Sequence, residues 1–179
     1  MREHAPHTRK GGDIPYFSHV IGVSSLVLEY GGNEDQAIAG LLHDIVEDCG
    51  IEHEAIIREE FGDAVAGMVM DCTDSITLPK PEWKQRKQNY IASLDVKAES
   101  SLLVSCCDKI HNARAIDRDH ADVGDDLWDR FSSNKSEIEW YYRSITEKFL
   151  DRGTPAAKEL ERVVNSAFGG ANKTGMSST

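Results

Sequence analysis

The stretch "LLHDIVEDCG", Leu41 to Gly50, sets His43, Asp44, Glu47 and Asp48 into a run otherwise rich in Leu, Ile and Val. A helix turns adjacent residues by about 100° and brings residues four apart onto one face, a turn along. His43 and Asp44 can therefore converge on one ion from neighbouring directions, with Glu47 a turn beyond His43 and Asp48 a turn beyond Asp44. A helix that only buries an apolar stripe has no need of four ionisable groups beside it. Solvent-facing acids at a helix end are the plain account; a metal-binding histidine–carboxylate pair is the sharper one.

Outward from this stretch the chain keeps a helical period. Val20, Val23, Leu26, Val27 and Tyr30 share one face, and Gly31-Gly32 stop that helix. Asn33 is placed to cap the next helix, with Glu34 and Asp35 in its first turn; this helix is expected to run through Ala37, Leu41 and Leu42 into the motif. Short helices follow at 52–61, ending at Gly62, and at 64–72, then a loop at 74–81 containing two prolines. A charged helix covers about 82–94, and a longer, more apolar one starts near Glu99. Residues 125–131 form a short helical piece, 134–150 a strong helix, and 156–168 close the fold. No stretch alternates with period two for long enough to demand a sheet. The expectation is an all-α single domain over residues 1–168, followed by a disordered tail at 169–179.

Bulk composition narrows the function classes. With 179 residues, 40% hydrophobic and 28% charged, the chain is an ordinary globular protein with room for one proper core. It has no apolar run near the roughly 20 residues of a membrane span and no leader-like start, so no membrane partner and a cytoplasmic location are expected. A net charge of −11 argues against a nucleic-acid partner. Cys49, Cys72, Cys106 and Cys107 show no paired CxxC spacing and read as reduced thiols. The composition does not give an oligomeric state.

A second polar cluster lies far along the chain. In "SCCDKIHNARAI", Asp108 follows a run of Leu, Val and Cys that reads as buried, and a buried aspartate needs a partner or a metal. A salt bridge to Arg114 is one account. The other takes Asp108 together with His43, Asp44 and His19, the histidine of "PYFSHV" at a helix start. Two histidines and two carboxylates suit a divalent Mn²⁺, Fe²⁺ or Zn²⁺. Lys80, Lys84, Arg86 and Lys87 crowd the loop and charged helix and, with Arg9, Lys10 and Arg114, offer a cationic wall for phosphate. Their alternative is a solvated helix face. In "EWYYRS", Trp140, Tyr141 and Tyr142 cannot all face one way; at least one packs inward and another can line a pocket.

The ordered set "RKGG-IPYFSH", "GLLHDIVED" and "DKIHNAR" resembles the HD-domain phosphohydrolases, most closely the hydrolase domain of the RelA/SpoT alarmone enzymes and the small stand-alone hydrolases of the metazoan SpoT homologue type. The similarity covers roughly residues 4–150. It implies an HD-domain helical bundle in which His19, His43, Asp44 and Asp108 bind a metal, usually manganese. It implies further that Glu47 and Asp48 handle the attacking water. Arg9, Lys10, Lys109 and Asn112 would lie near a nucleotide substrate, and Tyr141 is the tyrosine favoured for its pocket. Lys84 and Arg86 are the helix cations taken as phosphate contacts. The implied activity is pyrophosphate removal from the ribose 3′ position of guanosine tetraphosphate or a related alarmone. Pro6 and His7 depart from the family pattern, which also has a helix ahead of this loop.

Overall fold

The computed structural model describes residues 8–9, 13–77 and 79–169. Its α-helices are α1 (Phe17–Glu29), α2 (Glu34–Leu42), α3 (Ile45–Cys49), α4 (Glu52–Cys72), α5 (Trp83–Ser93), α6 (Glu99–Val123), α7 (Lys135–Asp151) and α8 (Ala157–Phe168). A 3-10 segment, Gly124–Arg130, links α6 to the chain before α7. Among the described residues the only extended pairing is an isolated bridge between Thr8 and Pro15, so the fold is all-α. No described helix is long and apolar enough to cross a membrane. Pro6, His7, Lys10 and residues 170–179 lie outside the described residues.

Helix α6 is the axis of the bundle. Ser101 through Asp108 are buried one after another, so this part of the helix is enclosed on all sides. It packs against α1, α2, α4, α7 and α8. Leu102, Val104, Cys106, Cys107 and Ile110 are almost fully buried, and each aliphatic side chain so placed contributes about 1.5–3 kcal/mol. Ser105, within this buried run, is satisfied locally: its Oγ takes a hydrogen bond from the Tyr90 hydroxyl at 3.1 Å.

Local sequence sets the helix ends. Asn33 and Gln36 close a reciprocal capping box at the start of α2, and Asn134 caps α7 through the Glu137 N–H. Gly62 takes φ 86°, a left-handed conformation that bends α4 where the sequence separates two short helices. One expectation is corrected. The helix expected to run unbroken through Leu41-Leu42 into the motif ends at Leu42, and a separate α3 begins at Ile45. His43 and Asp44 thus occupy a junction, where regular helical hydrogen bonding lapses.

Candidate metal centre

Three parts of the chain bring the ligand-type residues together. His19 lies in the first turn of α1, His43 and Asp44 at the α2–α3 junction, and Asp108 near the middle of α6. Ligand atoms of His19, His43 and Asp108 all fall within 4.8 Å of one another. His19 Nε2 is 3.3 Å from Asp108 Oδ1 and 3.5 Å from Asp44 Oδ2. His43 Nε2 is 3.0 Å from Asp44 Oδ2 and 3.6 Å from Asp108 Oδ1.

Both imidazoles are 1% exposed, and neither Nε2 makes an aligned hydrogen bond among the described residues. An orphaned buried polar atom costs about 1–3 kcal/mol, so two of them facing carboxylates need an explanation. Each Nδ1, by contrast, is engaged. His43 Nδ1 lies 2.9 Å from the Gly40 carbonyl, which can only accept, so the proton sits on Nδ1 and Nε2 is where added positive charge arrives. Burial would lower the His43 pKa, but the Asp44 and Asp108 carboxylates raise it well above the ordinary imidazole range. Burial opposes ionisation of Asp44 and Asp108 in turn. The neighbouring imidazoles, with Lys109 in the case of Asp108, nonetheless hold both carboxyls well below the usual range. A pocket so strongly disposed to positive charge, with a borderline nitrogen and oxygen donor set, fits a divalent cation. The resemblance to HD-domain phosphohydrolases implies such an ion, and these residues could hold it.

The ligand-type residues are themselves braced. The Tyr16 hydroxyl donates to Asp44 Oδ2. Lys109 Nζ donates to Asp108 Oδ2 at 2.6 Å, and Asn112 Nδ2 to Asp108 Oδ1 at 2.5 Å. Arg9 donates to Asn112 Oδ1 at 2.8 Å, extending the chain of contacts to the loop before α1. Arg114 pairs with Glu159 at 2.7 Å, so the core salt bridge from Asp108 to Arg114 does not form. His19 Nδ1 lies 3.0 Å from Nδ1 of His111, whose pKa burial and the His19 charge lower to about 4.

The centre opens into a cavity of about 610 Å³. Its lining includes Asp44, Glu47, Asp48 and Asp108, the cations Arg9, Lys87 and Lys109, and Asn112, Trp83, Tyr141 and Tyr142. Ile116, Leu127, Phe131 and Ile138 add an apolar surface. Glu47 is held at both oxygens, by Lys80 Nζ at 2.8 Å and the Asp74 N–H at 3.1 Å. Tyr141 is 5% exposed with its hydroxyl unpartnered among the described residues, and burial raises its pKa, so it remains a phenol able to donate.

The cations of α5 divide. Lys84 lies 3.3 Å above the Trp140 ring, and Arg86 donates to Asp74 and to the Pro81 carbonyl; neither lines the cavity. Lys87, named in sequence only as part of the wall, lines it, bonded to Asp74 Oδ2 at 2.7 Å and 5.0 Å from the Tyr141 ring centre. Burial and the Lys109 charge lower the Lys87 pKa against the pull of Asp74. Tyr16 and Trp83 were not foreseen in the site. The signal for Tyr16 was its place three residues before His19, within one helical turn.

Comparison with known proteins identifies the family and relatives of similar sequence and fold. A family model described as HD domain matches residues 1–138. The Xenopus tropicalis guanosine-3′,5′-bis(diphosphate) 3′-pyrophosphohydrolase MESH1 is 36% identical over 119 residues, which are 65% of this chain and 64% of that enzyme. The chain thus matches just under two thirds of that relative's length. The crystal structure of lmo0812 from Listeria monocytogenes EGD-e superposes with a TM-score of 0.74 at 28% identity, covering 84% of this chain and 98% of that one. A structure described as a metazoan ortholog of SpoT that hydrolyzes ppGpp gives a TM-score of 0.70 at 25% identity, covering 90% of this chain and 87% of that one.

Proposed function

The chain belongs to the HD domain family, and on that premise we propose that it is a metal-dependent phosphohydrolase that removes pyrophosphate from the 3′ position of guanosine 3′,5′-bis(diphosphate) or a close alarmone. The observation that carries the proposal is the convergence of two orphaned histidine nitrogens and two carboxylates beside a cavity that is also lined by partly buried lysines. The activity of the frog relative and of the SpoT ortholog supports the choice of substrate.

His19, His43, Asp44 and Asp108 would hold the ion, manganese on this reading. When bound, a divalent ion lowers the pKa of water toward neutrality and offsets phosphoryl charge. Glu47 and Asp48 orient the attacking water and accept its proton. Glu47 is suited to this because Lys80 and the Asp74 N–H fix its carboxylate. Water adds to the phosphorus joined to the ribose 3′ oxygen; that P–O bond breaks, pyrophosphate leaves, and the 3′ oxygen takes up a proton. Lys87 and Lys109 face the negative charge that develops on the phosphoryl oxygens, a task for which pre-placed, partly desolvated cations are effective. Arg9 and Asn112 border the same cavity and serve the ribose and phosphates. Tyr141 offers its ring and free hydroxyl to the nucleoside.

A substrate panel tests the proposal. Purified chain loaded with Mn²⁺ should release pyrophosphate from guanosine tetraphosphate, with product identified by chromatography, and activity should disappear on chelation. No phosphate or pyrophosphate release from alarmones, NADPH or dNTPs would overturn it. Glu47→Gln should keep the metal yet lower kcat by about 10²–10⁴-fold, as loss of a general base does. Full activity in that variant would remove Glu47 from the role.

A further inference from the structure

The two histidines of the centre are braced differently. His43 leans on the backbone carbonyl of Gly40 through Nδ1 at 2.9 Å, a partner no substitution can delete. His19 has a side chain in that place, Nδ1 of His111 at 3.0 Å, with the two rings tilted and 4.8 Å apart. His111 stands on α6 three residues after Asp108, so one helix carries both the carboxylate that faces His19 Nε2 and the imidazole that meets its Nδ1. Space for that imidazole comes from α1. A Cβ at Gly22 would stand 2.4 Å from both Cδ2 and Nε2 of His111, so any side chain there would displace the ring. Gly22 and His19 are three residues apart on α1, and together they present a slot and a donor to the same ring.

Proton placement follows from the geometry. If Nε2 of His19 holds an ion it carries no proton, so the proton is on Nδ1 and is donated across the 3.0 Å contact. His111 must then accept through its own Nδ1, with its proton on Nε2. We propose that His111 is a positioning residue for the metal centre: it fixes the tautomer and rotation of His19 that turn Nε2 toward Asp108 and Asp44, and Gly22 supplies the slot that seats it. The proposal rests on His19, His43, Asp44 and Asp108 holding a divalent ion. His111 does not touch that ion or the substrate; it acts through His19.

The test is Mn²⁺ titration of the metal-stripped full chain, followed by electron paramagnetic resonance of the free ion, together with circular dichroism and melting of each metal-free variant. His111→Phe keeps a ring but loses the acceptor, and should raise the Mn²⁺ Kd about 10–100-fold, the usual effect of losing such a support. His111→Asn restores an acceptor oxygen close to the position of Nδ1 and should recover most of that affinity. Gly22→Ala, which leaves every donor and acceptor in place, should weaken Mn²⁺ binding in the same direction. In Zn²⁺-loaded protein, nitrogen NMR should show His19 protonated at Nδ1 in the wild type and in His111→Asn, and no longer held in one tautomer in His111→Phe. Wild-type affinity in both His111→Phe and Gly22→Ala would overturn the proposal. Should His111→Phe fail to fold, wild-type affinity in Gly22→Ala alone would do so. A wild-type chain that takes up no Mn²⁺ would instead overturn the metal reading, and the role of His111 with it.

Discussion

The ligand-type cluster and the cations of α5, of which Lys87 reaches the same cavity, hold their charges in opposite ways. His19, His43, Asp44 and Asp108 come from α1, the α2–α3 junction and α6, and three of them are almost fully buried. Each depends on the others, because a buried charge without its counterpart is costly. The α5 cations come from one short helix and are held by local partners outside the cluster: Trp140 for Lys84, and Asp74, shared, for Arg86 and Lys87. The cluster should therefore fail as a unit, whereas α5 should lose function one residue at a time.

The severest break is Asp108→Asn. It removes the carboxylate that faces both Nε2 atoms and leaves Lys109 as a nearly buried ammonium without its counter-ion. Turnover should fall by about 10³-fold or more, since members of an interdependent set are not separable in kinetics. Steady-state rates at saturating Mn²⁺ check it. On α5 the effects should be graded. Lys87→Ala should lower kcat/KM by about 10–100-fold, the range expected for one charge-assisted hydrogen bond to phosphate. Lys84→Ala should stay within about twofold of wild type, because its ammonium is turned onto Trp140. Equal losses in these two variants would show that α5 acts as a diffuse cationic field.

Asp74 gives the smallest but most informative effect on stability. Burial raises its pKa, yet Lys87 and Arg86 bring it below the ordinary value. A carboxyl whose folded pKa is depressed contributes stability above its unfolded value, near pH 4, and loses it as pH falls through the folded value. Asp74→Asn should therefore lower unfolding free energy by about 1–3 kcal/mol near neutrality. The difference from wild type should shrink below about pH 4, as urea denaturation at the two pH values would measure.

The same contrast explains what was legible in the sequence. Polar residues set into apolar runs, such as His43 and Asp44 beside Leu41 and Leu42 or Asp108 after Cys106-Cys107, announce themselves because burial makes them conspicuous. Helix α5 is polar almost all round, so its sequence does not say which cation turns inward; Asp74 and Trp140 decide that, and neither belongs to α5. The break at His43-Asp44 was hidden for another reason. No Gly or Pro marks it, and both residues keep right-handed helical backbone angles, so the pattern of the sequence runs through it unbroken. His111 was passed over beside the more conspicuous Asp108, and its use becomes visible only once Gly22 of another helix is seen beneath it.

The proposed ligands at positions 19, 43, 44 and 108 span α1 to α6, and only the folded chain brings them together. Any ion they take up is therefore thermodynamically linked to folding of the whole bundle. At a free concentration of 100 times Kd, that linkage is worth about 2.7 kcal/mol. For a chain of this size it corresponds to a rise in Tm of about 5–10 °C. A melting curve with and without Mn²⁺ thus reports occupancy of the centre without any substrate, and its absence in His43→Ala would locate the ion.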